Sequence, residues 1–494
     1  MMRLIPCGVL VAIALAVSGC GTTKQAGSVP DGAEFAPASS AVYISGITDP
    51  NSSQWEKADK LLGRFPGREK LLASFRKDLR KDNLTWERDV KPALGDELNL
   101  VLLSFEDPDH NYVFFTKPKD EAKFNKLLES GDDDDVPVHR KIDGWTVVAD
   151  NQRSLENFEQ AQSSADSLSD KDAFRDAMED LPDDATLRGY VSGESLYALI
   201  AKETATDPDA KTFEQFSKSF GKLESLSFST AAEDDGVAVE AAFTNSKGYD
   251  IGNYKPELDD ALPSGALLYV SFGNLEDFFN RTLASADESF PQFKTQRSQI
   301  EKALGFELKT DLFPLFSKEG AIAIYKGGEL APNVLFVLRV PDEAKARKVI
   351  DRFAALASLG GETSRTVKVQ GVEATEITIA EAGISILAAV TDGKAFVTNS
   401  KAELEQALGD AKKLADDAVY QEARDAAGAP DETASFVYTN LEAGLPYVFD
   451  FAETDEPGSI TPDVRANTKP LESAVFYAKQ DGKRTSLSGF LTIK

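Results

Sequence analysis

Side chains able to do chemistry are scarce in this sequence. Its 494 residues include only two His, His110 and His139, and two Cys, Cys7 and Cys20. Two imidazoles without a thiol partner cannot assemble a common structural zinc set. His110 lies near Asp107 and Asp109, and His139 beside Arg140 and Lys141, so each reads as a surface imidazole. Asp132-Asp133-Asp134-Asp135 could offer hard oxygens to Ca²⁺. It lacks the spaced ligands, the glycine turn and the distal bidentate Glu of a calcium loop, and reads as a solvated loop. Eighty-two acidic residues leave room for a carboxylate pair of the glycosidase kind, but spacing along the chain does not give pairing in space. There is no Gly-x-Ser-x-Gly elbow, phosphate loop, dinucleotide fingerprint or His-Glu-x-x-His. A non-catalytic role without metal or cofactor is the expectation, with a carboxylate-based hydrolase as the minor alternative.

Cys20 is the one thiol in a telling context. The opening MMRLIPCGVLVAIALAVSGCG has a basic Arg3, an apolar stretch from Leu4 to about Val17, and small residues leading into Cys20. That is the three-part layout of an export signal, and the apolar stretch is short of the roughly 20 residues that span a bilayer. Val17-Ser18-Gly19-Cys20 looks like a bacterial lipoprotein box, in which the nucleophilic thiol is acylated and the chain is cut before it. The expectation is a signal peptide over 1–19 and a lipid anchor on Cys20; an ordinary cleaved signal and an uncleaved anchor are the alternatives. Two or more acyl chains give stable membrane attachment where one gives only marginal binding. Cys7 would leave with the signal, so the mature chain could form no internal disulfide. Residues 20–36, rich in Gly, Thr, Ser and Asp at their start, read as a flexible tether.

The remainder has the composition of a folded body, with 42% hydrophobic and 28% charged residues. Fifty-four basic against 82 acidic residues give a net charge of −28, which repels nucleic-acid phosphate, so no nucleic-acid partner is expected.

Self-comparison organises this body. Pro37 to Ser45 recurs as Pro263 to Ser271, each a loop running into an apolar strand. Asp89-Val90-Lys91-Pro92 through Glu97 matches Asp311-Leu312-Phe313-Pro314 through Glu319, each followed by an apolar run. Asp120-Glu121-Ala122-Lys123 recurs as Asp342-Glu343-Ala344-Lys345, each opening a helix. Asp143-Gly144 and Asp392-Gly393 mark turns, and Ser400 and Glu403 have capping-box spacing for the helix that follows. Hairpins turning at Asp234-Asp235-Gly236 and Asp481-Gly482 close the two copies. The spacing predicts two related α+β domains from an internal duplication, 37–246 and 262–494, joined by a linker over 247–261. Each would be a mainly antiparallel sheet with helices packed on one face. The second copy carries additional strand sequence at about 366–390.

The stretch Trp86-Glu87-Arg88-Asp89-Val90-Lys91-Pro92-Ala93-Leu94-Gly95-Asp96-Glu97, with Val42-Tyr43-Ile44-Ser45, Arg64-Phe65-Pro66-Gly67 and the Asp392-Gly393 strand and helix, resembles the bacterial "domain of unknown function" family numbered 3352. The resemblance implies an extracytoplasmic location and a shared fold, and no activity. The functional expectation is therefore a membrane-anchored extracytoplasmic lipoprotein that binds or scaffolds an unknown envelope protein. The alternative is a carrier or sensor of an apolar ligand.

Overall fold

The computed structural model describes residues 29–494 apart from 131–136, 165, 205–216, 218–220, 248–251, 329–330 and 456–457. The signal segment 1–19, Cys7, Cys20 and Asp132 to Asp135 lie outside the described residues. The architecture is α+β, built on one large antiparallel sheet. Its strands are β1 (Val42–Ile47), β2 (Glu97–Leu102), β3 (Tyr112–Thr116), β4 (Val138–Ile142), β5 (Trp145–Ala149), β6 (Leu187–Ser192), β7 (Leu223–Ala232) and β8 (Gly236–Asn245) in the first half of the chain. The second half adds β9 (Leu268–Phe272), β10 (Gly320–Tyr325), β11 (Asn333–Arg339), β12 (Thr363–Val369), β13 (Val372–Ile379), β14 (Ile384–Thr391), β15 (Lys394–Thr398), β16 (Ser435–Asn440), β17 (Leu471–Asp481) and β18 (Arg484–Ile493).

The halves meet at a seam where β8 pairs with β18, Gly236 opposite Thr492 and Thr244 opposite Arg484. Outward from the seam the first half runs β8, β7, β6, β1, β2, β3, β5, β4. The second runs β18, β17, β16, β9, β10, β11, β15, β14, and continues into β13 and β12. The Asp-Gly turns form as predicted: φ is 47° and 85° at Asp143-Gly144 and 51° and 69° at Asp392-Gly393. Two successive positive φ values are what a two-residue I′ hairpin turn requires.

Helices cover both faces of the sheet, which corrects the expectation of helices on one face. In β3, Val113 and Phe115 join a core with Leu155, Phe158, Phe174 and Met178 from the helices Gln152–Gln162 and Asp172–Met178. Phe114, pointing the other way, packs with Leu98, and Val148 of β5 packs with Phe124 and Leu128 of the helix Glu121–Leu128. Successive strand residues face opposite sides, so a strand buried on both needs cover on both. Every residue of β5 is buried.

The two faces are continuous across the seam. Ala231, Ala238, Phe490, Val475 and Tyr438 stand directly opposite one another in β7, β8, β18, β17 and β16, and opposed residues share a face. Val475 and Tyr438 belong to the second-half core with Tyr269, Leu404 and Tyr420. Each half carries an aromatic triple on this face. Phe174 meets Tyr43 and Tyr190 edge-on at centroid distances of 5.6 and 5.1 Å, and Tyr420 meets Tyr269 and Tyr438 edge-on at 5.8 and 5.1 Å.

Three expectations change at the edges. The tether over 20–36 is shorter than expected, because Asp31–Phe35 is a helical turn and Ala33, Phe35 and Ala36 belong to the first-half core. Small residues suit this position: a Cβ on Gly32 would lie 2.4 Å from the Asn99 side chain. The linker over 247–261 is likewise not free throughout. Tyr254 bridges to Thr433, and Leu258 and Ala261 are part of the second-half core. Finally, the Ser400 side chain caps its helix by accepting from the Glu403 N–H at 3.3 Å, but Glu403 does not complete the box. Its carboxylate accepts from Asn333 Nδ2 at 3.2 Å instead. Among the described residues no helix is long and apolar enough to cross a membrane.

Candidate functional site

Two features concentrate polar chemistry, an open cleft on the first half and, in each half, a carboxylate that clamps backbone N–H groups. The cleft, about 650 Å³, lies between the loop after β2 and the helix Gln152–Gln162. Asn151 caps that helix by accepting from the Ser154 N–H at 2.9 Å, and Leu155 and Phe158 bury its inner face. The burial aims Arg153, Asn157 and Gln160, spaced i, i+4, i+7, at the cleft.

The opposite wall is the loop 104–111, folded over its own backbone. Asn111 Nδ2 donates to the carbonyls of Glu106 and Asp107 at 2.8 and 3.0 Å, and Asp107 takes φ 52°. Asn157 Nδ2 ties helix to loop by donating to the His110 carbonyl at 2.9 Å. His110 Nδ1 lies 2.7 Å from Asp107 Oδ1, and Arg153 reaches the other oxygen of that carboxylate at 3.5 Å. The His110 hydrogen bond holds the Asp107 carboxyl below its ordinary range, helped by the charge of Arg153. The cleft thus presents amide, hydroxyl, guanidinium and carboxylate groups at a solvent-open surface, a lining suited to hydrogen-bonding a polar partner.

This arrangement makes a direct prediction. His110→Ala removes the leading cause of the Asp107 shift, so the Asp107 carboxyl should titrate closer to the ordinary carboxylate value, read by carbon NMR of the side-chain carboxyl. Because the native value is depressed, any stabilisation from this carboxylate is present above the ordinary pKa and lost as pH falls through the native one. The variant narrows that window; an unchanged Asp107 titration would show that His110 does not set it.

The two clamping carboxylates, Glu97 half-buried and Glu319 buried, occupy matching places in the two halves. Glu97 at the start of β2 accepts from the Gly32 N–H at 2.9 Å and from Ser45 Oγ at 3.2 Å. Glu319, just before β10 and only 6% exposed, accepts on Oε1 from the N–H groups of Glu257 and Leu258 at 2.9 Å each and from Ser271 Oγ at 3.2 Å. Arg339 stands 3.8 Å from Glu319 Oε2. Burial raises both carboxyls above their ordinary range, against the pull of these donors. Each carboxylate clamps the segment that precedes the first strand of its half through backbone N–H groups and a serine hydroxyl.

The structure places His110 beside the cleft, hydrogen-bonded to its lining residue Asp107, and His139 on the exposed face of β4, on separate elements. Among the described residues no group of His, Cys, Asp and Glu is arranged to hold a metal ion. Sequence reasoning passed over Arg153, Asn157 and Gln160, whose polar stripe was visible, and over Glu97 and Glu319, although both closed a repeated stretch.

A comparison with curated proteins finds no relative. Two solved structures, described as crystal forms IV and III of TP0453, share 12% sequence identity with this chain at a TM-score of 0.25. They cover 48% and 47% of this chain and 94% and 93% of their own, a similarity too low to carry any property across. The family described as "Protein of unknown function (DUF3352)" matches residues 132–486, well over half of the chain, and the protein belongs to that family.

Proposed function

We propose that this protein is a non-catalytic binding module of the cell envelope, held on the extracytoplasmic face of the membrane by acyl chains on Cys20. Its body would be two related α+β units, derived by internal duplication, that scaffold an envelope partner. The observation that carries the reading is the run from the apolar stretch Leu4 to Val17 into Ser18-Gly19-Cys20, followed by a body that bears a cleft of hydrogen-bonding groups.

Duplication is supported by the common strand order on the two sides of the seam, by the Glu97 and Glu319 clamps, and by the two aromatic triples. A single π-turn at the same place in each half, Trp86–Val90 and Leu308–Leu312, adds to it. The non-catalytic reading draws support from the clamps, since carboxylates bound to backbone N–H groups are engaged in holding the fold. An apolar-ligand carrier is less supported, because Phe35, Phe115, Trp145 and Phe158 fill the first-half core against one another.

Photo-crosslinking amino acids at Asn157 and Gln160 in intact cells should trap one reproducible protein, absent when the same group replaces Glu422 on the second half. Identical products from all three positions would overturn the cleft as the binding surface. Mass spectrometry of the gently extracted chain should show an N-terminus at Cys20 carrying acyl chains; an unmodified Cys20 would overturn the anchor.

A further inference from the structure

Large apolar side chains left in solvent are not spread evenly over the molecule. On the face that carries the aromatic triples, the helices Gln152–Gln162, Asp172–Met178, Lys401–Leu408 and Ala418–Ala426 expose none among the described residues. On the opposite face of the second half three helices, Leu275–Ser289, Pro291–Leu304 and Glu343–Leu359, lie together. They are seated on the sheet through Phe279 against Phe313 and Phe316, and through Ala346 and Val349 against Leu338 and Val390. Outward they expose Phe278 (38%), Phe293 (40%) and Phe353 (47%), with Phe290, Ile300 and Leu359 more exposed still. Six such residues on one helical layer form an apolar surface of the kind that marks an interaction site.

The charge around this layer points to its occupant. In a chain of net charge −28, Pro291–Leu304 carries Lys294, Arg297 and Lys302 against Glu301, and Glu343–Leu359 carries Lys345, Arg347, Lys348 and Arg352 against Glu343 and Asp351, whereas Leu275–Ser289 carries Glu276, Asp277, Asp287 and Glu288 against Arg281, so the layer as a whole is close to neutral. Asp287 of the first helix is paired with Arg297 at 2.7 Å. Helices that combine exposed Phe and Leu with surplus Lys and Arg, as the second and third do, suit the interface of an anionic bilayer, and the near-neutral layer escapes the repulsion that the acidic remainder of the surface meets there.

We propose that this three-helix layer is a membrane-docking surface, which rests flat on an anionic leaflet with its aromatic side chains in the headgroup and acyl boundary. The proposal rests on the Cys20 anchor for its reach. Residues 20–28 separate that anchor from Val29, and nine extended residues span at most about 30 Å. Val29 packs against the core on the other face. That core belongs to the first half, and β1 lies seven strand steps from β9, about 34 Å at the usual strand spacing. The tether would therefore hold the body at the bilayer from its first half and leave the second-half layer to make its own contact with the leaflet.

The full chain, purified from its native membrane and placed in vesicles of anionic and zwitterionic lipid with brominated acyl chains, tests this. Phe293→Trp and Phe353→Trp each add a fluorophore on the layer, and Glu422→Trp adds one on the opposite face. Docking predicts blue-shifted emission at 293 and 353, quenched more by shallow than by deep bromines, as insertion to about 5–10 Å requires. The variant at 422 should keep the quenching of the unsubstituted protein. Equal quenching at all three positions, or none, overturns the proposal. So does shielding of 293 and 353 without lipid together with a dimer by native mass spectrometry, which would assign the layer to a second copy. The acyl mass on Cys20 is a separate readout, so failure of the anchor and failure of docking are told apart.

Discussion

Glu319→Ala is expected to lower the unfolding free energy by about 2–5 kcal/mol, whereas Glu319→Gln should cost about 1 kcal/mol or less near neutral pH. The Ala variant strands the N–H groups of Glu257 and Leu258 and the hydroxyl of Ser271, all of which now point at Glu319 Oε1. A buried donor left unpaired costs on the order of 1–3 kcal/mol, and Ser271 keeps a contact with the Tyr254 hydroxyl at 2.7 Å that limits the total. The Gln variant keeps an oxygen where those donors need one. It also removes a charge that burial disfavours. The Glu319 carboxyl is raised above its ordinary value near 4.5, so its folding contribution is complete below that value and is lost as pH rises through the native pKa. Urea unfolding from about pH 5 to about pH 8 should thus show the Gln variant gaining on the wild type as pH rises, with the Ala variant below both. Equal stability of the Ala variant and the wild type would show that the segment at 254–262 is held by its apolar contacts alone.

Position, more than partner, was legible for these carboxylates. An acid that closes the same stretch before an apolar run twice in one chain marks a place with a fixed demand. The donors that explain the demand come from 65 residues away for Glu97 and 61 and 62 for Glu319, beyond any local pattern. Features decided within a few residues formed as expected. The Asp120 side chain accepts from the Lys123 N–H at 3.1 Å, and Asp342 accepts from the N–H groups of Ala344 and Lys345 at 2.9 and 3.1 Å. The additional strand sequence of the second half forms β12 and β13, leading into β14, the counterpart of β4. Cover on the second sheet face was not legible, since Trp145-Thr146-Val147-Val148-Ala149 has no polar alternation to show which side is wet. The burial of Asp31–Phe35 was hidden for a related reason. A Gly- and Ala-containing stretch has the composition of a tether, and its packing shows only in three dimensions, in the close approach of Gly32 to Asn99 and the burial of Ala33, Phe35 and Ala36. In the cleft, the stripe of Arg153, Asn157 and Gln160 followed helical spacing, but the loop that closes on it is set by Asn111 and Asp107, whose roles depend on backbone geometry.

Gly236→Val should act on the molecule as a whole, because it strikes the line along which the halves join. A Cβ at this position would lie 2.2 Å from the Leu491 carbonyl oxygen, so backbone must move for any side chain to fit. Val adds two further methyl groups, and the cost should approach about 3 kcal/mol, the upper end of ordinary overpacking. The effect should be local to the seam before it is global. Pairing between β8 and β18 is the sheet contact between the halves, supported by side chains near its ends. Arg64 donates to the carbonyls of Ile493 and Asp234, and Arg484 reaches Asp180 at 3.0 Å and the Asp176 carbonyl at 3.0 Å. Those contacts are peripheral, whereas the cores around Tyr43 and Tyr269 lie several strands away on either side. Hydrogen exchange should therefore show the amides of β8 and β18 losing protection while those of β1 and β9 keep theirs, and unfolding should separate into two steps. Gly444→Ala is the matched control: the nearest atom to its added Cβ is Leu267 Cβ at 4.0 Å, and the helix gains propensity. If Gly236→Val leaves seam protection intact and unfolding in one step, the halves are coupled through their other contacts, such as Arg484 with Asp180 and the Gly67 N–H with Asn467, and the paired strands contribute little to holding them together.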